Sequence, residues 1–502
     1  MCGIVAEHGC SDSTELERML AELTHRGPDD AGCVRVNGSW LGHRRLSIVD
    51  VGGGHQPLPG AGERLWLVGN GEVYNHAELR AELPTRAYRT DSDNEVALHL
   101  LELGGPEALG RLNGMFAFVA AGADGRFVAA RDPVGIKPLY WTPPVRPGDA
   151  VRFASEMHVF APEWRPRVEP FPPGCAWTPE GGLVRFASAV PTDLEPLPEG
   201  CSLEDGTRAT LVDAVERQMM GDVPVGVFLS GGLDSSLVAA IAARRAARDG
   251  ERCKTFAVGT PDSPDLLAAR QVAEALGTDH FETLYTAGEA LAALPDVVRA
   301  IESFDPGLVR SAVPNWFLSQ AAAQEVKVVL TGEGADELWA GYAYLREFTE
   351  GAALEAELAR TVRGLHNLNL QRCDRVTMAH GLEARVPFLD REVIAWALRV
   401  PAQEKLASAE RPEKLLLRRA FTGWLPDELL WRDKAEFGDG SGARDVLSAA
   451  VEAPITAGEL AAERDAVVPP LRTREELAYY RIWVDALEGV RPELALSRSA
   501  TA

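Results

Sequence analysis

The chain lacks both common phosphate-binding signatures: it has no GxxxxGK(S/T), so no P-loop lysine, and no GxGxxG dinucleotide fingerprint. Positive charge is short as well, with 51 Lys and Arg against 74 Asp and Glu. A formal charge of -23 excludes the basic face that a nucleic-acid partner needs. Cysteine is scarce: seven in 502 residues, at irregular spacing with no CxxC pair, which excludes a disulfide framework and a cysteine metal cluster. Free thiols fit the reducing cytoplasm, the expected location. No apolar run approaches the roughly 20 residues of a membrane span. The opening MCGIVAEHG has neither the basic nor the apolar region of a signal peptide. His25, His43 and His55 sit among turn residues without metal-ligand spacing and read as structural.

What is present divides the chain in two. A length of 502 residues, 46% of them hydrophobic and 25% charged, fits two to four globular domains. Val225–Leu229 is a short apolar run of the kind that forms a strand buried on both faces of a parallel sheet. Ser230-Gly231-Gly232 breaks it, and an Ala-rich helical segment resumes over Leu237–Arg248. Strand, glycine turn and helix aim backbone N–H groups and a positive helix end at one point, which suits a phosphate. Ser230, Ser235 and Ser236 add hydroxyl donors; an ordinary βα turn uses the same residue types. Lys254–Gly259 and Val326–Leu330 read as further strands and Asp265–Leu276 as a helix. The pattern is an α/β doubly wound parallel sheet, with ligands at the carboxyl ends of its strands. SGGLDSS and Thr331-Gly332-Glu333-Gly334-Ala335-Asp336-Glu337 both fall at such ends.

The first half reads differently. Short β-rich runs such as Leu65–Val68, Phe116–Ala120 and Arg126–Ala129 suit a two-sheet sandwich with helices outside. Small Cys2 and Gly3 favour removal of Met1, which leaves Cys2 an α-amine of pKa about 7.7–8.0 as a base for its own thiol. Proline-rich stretches between about 142 and 206 mark the joint. A helix with apolar positions at 3.6 spacing begins near Ser202.

MCGIV, Arg26-Gly27-Pro28-Asp29, LGHRRLSIVD (Leu41–Asp50), LVGNGEVYN (Leu67–Asn75) and TDSDNE (Thr90–Glu95) occur in one order. Together they resemble the glutaminase domain of the class II glutamine amidotransferases, N-terminal-nucleophile hydrolases built as an α/β/β/α sandwich. SGGLDSS resembles the loop of the ATP pyrophosphatases. GEGADELWAGY, HGLEARVPFLD and WRDKAEF extend the likeness to the asparagine synthetases of the B type. The resemblance implies a glutaminase domain over 1–185, a Pro-rich linker over 186–202 and an adenylating synthetase domain over 203–502.

The resemblance also implies roles. Cys2 is the nucleophile, and Asn70 with the Gly71 N–H forms the oxyanion hole. Arg45 and Asp93 hold the glutamine α-carboxylate and α-ammonium, with Asn70 and Glu72 beside them. Asn70-Gly71 is also the commonest hairpin-turn signal. ATP contacts fall to Leu229, Ser230, Gly231, Gly232, Asp234, Ser235, Val258, Thr331, Gly332 and Lys434, although Val258 suits plain strand core equally. Asp234 and Asp336 would hold Mg²⁺, Glu333 would take a proton from the incoming amine, and Lys434 would sit on the α-phosphate and departing pyrophosphate. Met115 is a candidate wall residue of an ammonia passage or an ordinary core methionine.

One stretch departs from the family. Where asparagine synthetases carry Thr-Thr-(Ile/Val)-Arg-Ala-Ser, this chain has Gly307-Leu308-Val309-Arg310-Ser311-Ala312. Arg310 remains to hold an acceptor carboxylate, but two hydroxyl donors are gone, and lost donors relax selectivity for a polar ligand. The expected function is glutamine-hydrolysing asparagine synthesis. Alternatives are the same chemistry on another carboxylic acid, glutamine hydrolysis alone, and β-lactam synthetase-like ring closure. The expected partners are small molecules, with no nucleic acid or membrane; a homodimer is compatible with the sequence.

Overall fold

The computed structural model describes residues 2–9, 12–83, 87–146, 148–261, 263–408, 411–432 and 443–496. Two six-stranded antiparallel sheets face each other in the first half. One runs in the order Glu169–Pro170, Tyr140–Trp141, Val151–Ala154, Cys2–His8, Ser39–Arg45, Asp30–Val36. The other runs Gly182–Arg185, Cys175–Thr178, Phe127–Arg131, Gly114–Gly122, Leu65–Val73, Leu58–Pro59. Alternation decides the layers, because successive side chains on a strand point to opposite faces. Ile4 and Ala6 point inward and meet Val68, Ala117 and Val119 of the facing sheet. Val5 points outward onto Leu16, Met19 and Leu20 of the helix Thr14–Glu22. The helix Glu95–Gly104 covers the far side, packing Val96, Leu100 and Leu101 on Leu65, Leu67 and Phe116. The result is the expected α/β/β/α sandwich.

The second half is built on a five-stranded parallel sheet in the order Asp279–Leu284, Lys254–Gly259, Val225–Phe228, Val328–Leu330, Glu383–Arg385. Chain order reverses between Val225–Phe228 and Val328–Leu330, which opens a crevice at their carboxyl ends. The sequence places the strands well and the helix start less so. The helix after the glycine turn begins at Leu233, not Leu237, because Gly232 takes an extended N-cap conformation (φ -73°, ψ 162°). Asp234 and Ser235 therefore lie in the first helical turn. The strand expected from Val326 starts at Val328. Residues 186–202 carry neither helix nor strand.

The two halves share one apolar core that runs from Val5, Leu16 and Met115 to Val227, Val329 and Leu382. Polar ties cross the same boundary: Met157 N–H donates to Glu302 (3.0 Å), Asn113 Nδ2 to Asp390 (3.2 Å) and Lys137 Nζ to the Ala384 carbonyl (3.3 Å).

Candidate active sites

Cys2 opens the central strand of the first sheet and is paired across it with Arg45. Its backbone N–H donates to Asn70 Oδ1 at 2.9 Å. Asn70 and Gly71 are not a hairpin turn; they lie inside Leu65–Val73, opposite Ala117 and Phe116. Gly71 is required there. Its φ is +140°, and a Cβ would stand 1.9 Å from the Met115 carbonyl oxygen. With Oδ1 engaged by Cys2, the fully buried Asn70 Nδ2 has no hydrogen-bond partner among the described residues, which leaves a donor beside the strand that carries the thiol. Burial pushes the Cys2 thiol above its ordinary pKa, and the Leu46 N–H and the Arg45 guanidinium partly offset it.

Arg45 donates to three backbone carbonyls, those of Val49 (3.1 Å), Asp50 (2.6 Å) and Val51 (3.3 Å). These fix the guanidinium on the rim of the same site. Asp93 accepts from Val73 N–H (2.6 Å) and Asn94 Nδ2 (3.0 Å). Glu72 lies 3.5 Å from Arg385 of the second half. Both carboxyls are buried, and burial raises their pKa values; for Glu72 the nearby Glu383 and Asp93 add to the rise. Met115 is fully buried in the shared core.

At the switch point of the second sheet lies a cavity of about 810 Å³. It is lined by the whole described set read from the sequence for nucleotide, metal and acceptor: Leu229 to Gly232, Asp234, Ser235, Val258, Arg310, Thr331 to Glu333, and Asp336. Gly231 adopts φ +74°, where a Cβ would press within 2.6 Å of Ala268 Cβ and Ala269 N. Ser235 Oγ accepts from Ser230 N–H (3.2 Å) and lies 3.0 Å from Ser230 Oγ, which closes the loop on itself. The two strand-end segments touch, since a Cβ on Gly332 would meet Asp234 Cβ at 2.9 Å. Arg310 Nε donates to the Pro306 carbonyl (3.1 Å). Lys434 lies outside the described residues; Arg432, shortly before it, donates to the Gly231 carbonyl (3.1 Å).

Seven residues carry geometry that local sequence reading passed over. Arg26 is fully buried and donates to the Cys2 carbonyl (3.0 Å), Glu156 (2.7 Å) and Asp374 (2.9 Å). Asp374 belongs to the helix Asn369–Met378 of the second half. From the same helix Arg372 pairs with Glu333, and Cys373 and Thr377 line the cavity. The helix Asn369–Met378 thus reaches from the arginine beside the thiol strand to the nucleotide cavity. Glu337 is buried, accepts from Tyr342 Oη (2.5 Å) and is pushed up to about 7 by burial. Lys414 reaches both Asp234 (2.6 Å) and Asp336 (2.5 Å). Some of these lie in recognised segments, but most of their partners are distant in sequence.

Two family models cover the chain: glutamine amidotransferase domain over residues 1–171, and asparagine synthase over 206–353 and 346–464. A probable glutamine-hydrolyzing asparagine synthetase of Schizosaccharomyces pombe is 39% identical over 521 residues, covering 97% of this chain and 93% of that one. The glutamine-hydrolyzing asparagine synthetase B of Escherichia coli is 39% identical, covering 86% and 81%. That of Asparagus officinalis is 39% identical, covering 88% and 78%. A thiol site at the head of one sheet and a nucleotide-type crevice at the end of the other are thus matched by one family along nearly the whole sequence, and the chain belongs to the glutamine-hydrolyzing asparagine synthetases.

Proposed function

We propose that the chain converts aspartate to asparagine, with glutamine as nitrogen donor and ATP as the activating substrate. The observation that carries this reading is the span of the likeness, 39% identity over 97% of the chain to a relative named for that activity. In the first half, the Cys2 thiolate attacks the glutamine γ-carboxamide, and the α-amine exposed by loss of Met1 takes the thiol proton. Asn70 Nδ2 and the Gly71 N–H donate to the developing oxyanion. Arg45 and Asp93 orient the substrate through its α-carboxylate and α-ammonium, with Glu72 alongside. Ammonia leaves, and water hydrolyses the γ-glutamyl thioester to glutamate.

In the second half, the aspartate β-carboxylate attacks the α-phosphate of ATP, giving an acyl adenylate and pyrophosphate. The turn Ser230–Gly232 and the Ser235 hydroxyl receive the phosphates. Asp234 and Asp336 suit Mg²⁺, because their carboxylates already converge on one cation, the Lys414 ammonium. When bound, that ion would neutralise charge on the phosphate oxygens. Lys434 would add a cation at the α-phosphate, and Arg310 would hold the acceptor's α-carboxylate. Ammonia attacks the acyl carbon, Glu333 accepts a proton from it, and AMP departs. Ammonia passes between the two sites within the protein, because exclusion of bulk water would keep the amine unprotonated. Six free cysteines among the described residues support a cytoplasmic enzyme, and no described helix is long and apolar enough to cross a membrane.

The test is pyrophosphate release with glutamine, ATP, Mg²⁺ and one carboxylic acid at a time. Aspartate should trigger it; release with a different acid alone would overturn the acceptor, and release with none would leave a bare glutaminase. One observation favours a different acid. Leu308 is buried against the cavity, and the Ser311 hydroxyl is directed at the Gly307 and Leu308 carbonyls (3.0 Å each), so the first turns of the helix Pro306–Ala322 offer no hydroxyl donor beside Arg310.

A further inference from the structure

The carboxylates at the mouth of the nucleotide crevice already hold a positive charge supplied by the chain. Lys414 Nζ lies 2.6 Å from Asp234 Oδ2 and 2.5 Å from Asp336 Oδ1, and its side chain is 2% exposed. The position is built. Lys414 has φ +55°, a left-handed conformation uncommon for a residue with a side chain and concentrated at functional sites. Glu413 before it is held by Arg418 (2.7 Å) and Arg346 (3.2 Å). Opposite, Gly341 leaves the lysine its room: a Cβ there would stand 2.2 Å from Lys414 Cε and 1.9 Å from Asp336 Oδ1. The chain has no P-loop lysine, and this buried ammonium lines the same cavity as the SGGLDSS loop.

We propose that Lys414 is an exchangeable resident cation. Before nucleotide arrives it bridges Asp234 and Asp336 and keeps two close carboxylates from repelling each other. A divalent cation entering with the polyphosphate takes over the carboxylate oxygens, and the released ammonium turns onto the polyphosphate. The carboxylate pair exchanges one cation for another: two carboxylates share one ammonium at first, leaving one negative charge over, then share the divalent ion while the ammonium meets phosphate oxygens. Lysine and metal therefore compete in the empty site and cooperate once polyphosphate is present. The proposal rests on the reading of this crevice as a metal-polyphosphate site.

The test is Mn²⁺ binding to the full chain, followed by electron paramagnetic resonance, first alone and then with inorganic pyrophosphate. Lys414→Met should bind Mn²⁺ alone at least tenfold more tightly than wild type, and should bind pyrophosphate in the presence of Mn²⁺ at least tenfold more weakly. Lys414→Arg, which keeps the charge, should retain the weak metal binding of wild type. Lys414→Gln, purified in Mn²⁺, serves if the methionine variant does not fold. Unchanged or weaker Mn²⁺ binding in a folded neutral variant overturns the competition, and unchanged pyrophosphate binding overturns the transfer. Wild type that binds no manganese pyrophosphate would sink the nucleotide reading itself, while the metal-only comparison would still decide whether Lys414 blocks the site.

Discussion

Arg26→Met removes the guanidinium that joins the thiol strand to the second half. Three bonds disappear together: to the Cys2 carbonyl (3.0 Å), to Glu156 (2.7 Å) and to Asp374 (2.9 Å), all in a fully buried setting. Stranding a buried charge by deleting its partner costs about 3–5 kcal/mol. Here neither carboxylate loses every cation. Glu156 keeps Arg375 at 2.8 Å, and Asp374 keeps Lys137 at 3.6 Å. The loss should therefore fall at the lower end, about 3 kcal/mol. At about 2–4 °C per kcal/mol for domains of 150–250 residues, the melting temperature should drop by about 6–12 °C in a calorimetric scan. Asp374→Asn relieves part of the stranded charge, so the double variant should melt at least about 2 °C above the value expected from summing the two single shifts. A drop of less than about 3 °C for Arg26→Met, or strictly additive shifts, would refute the idea that this arginine ties the halves together.

Three further outcomes follow from the geometry. Cys2→Ala should abolish glutamine-dependent synthesis while ammonia-dependent synthesis persists; loss of both in a folded variant would contradict separable sites. Gly231→Ala forces a side chain into a left-handed position 2.6 Å from Ala268 and Ala269 N. ATP binding should fall at least tenfold with glutaminase rate unchanged, and retained ATP affinity in calorimetric titration would count against the loop. His43, buried with its Nε2–H donating to the Gly69 carbonyl (3.0 Å), is pushed down to about 3 by burial, against about 6.5 when unfolded. The unfolded chain takes this proton first, so the stability it carries is complete above pH 6.5 and is lost as pH falls toward 3, by about 1.4 kcal/mol per pH unit. His43→Gln should flatten that limb of stability against pH by about one proton; identical slopes would show that the histidine is not held neutral.

Local pattern made the scaffold legible. The apolar run before Ser230 and the glycines after it announce strand and turn within a dozen residues, and the alternating runs of the first half announce a sandwich. Asn70-Gly71 is ambiguous in sequence for a physical reason: glycine serves a turn and a crowded strand equally well, and the strand pairing with Ala117 and Phe116 and the Met115 carbonyl against Gly71 separate them. The charged ties were not legible. Arg26 meets Asp374 across 348 residues, and Lys414 meets Asp234 across 180. Beside Gly27-Pro28, Arg26 reads as part of a turn, and nothing in its neighbourhood signals burial. Helix start is a finer matter, set at Leu233 by the extended Gly232 rather than by the alanine run that follows.

The most direct measurement of a nitrogen passage between two sites uses glutamine labelled with ¹⁵N in its amide, supplied with ATP, Mg²⁺, aspartate and an excess of unlabelled ammonium. If ammonia travels inside the protein, the new amide will carry ¹⁵N nearly undiluted, as read by mass spectrometry. Label diluted in proportion to the bulk ammonium would mean that the nitrogen escapes to solvent between the thiol and the adenylate, and would contradict the account.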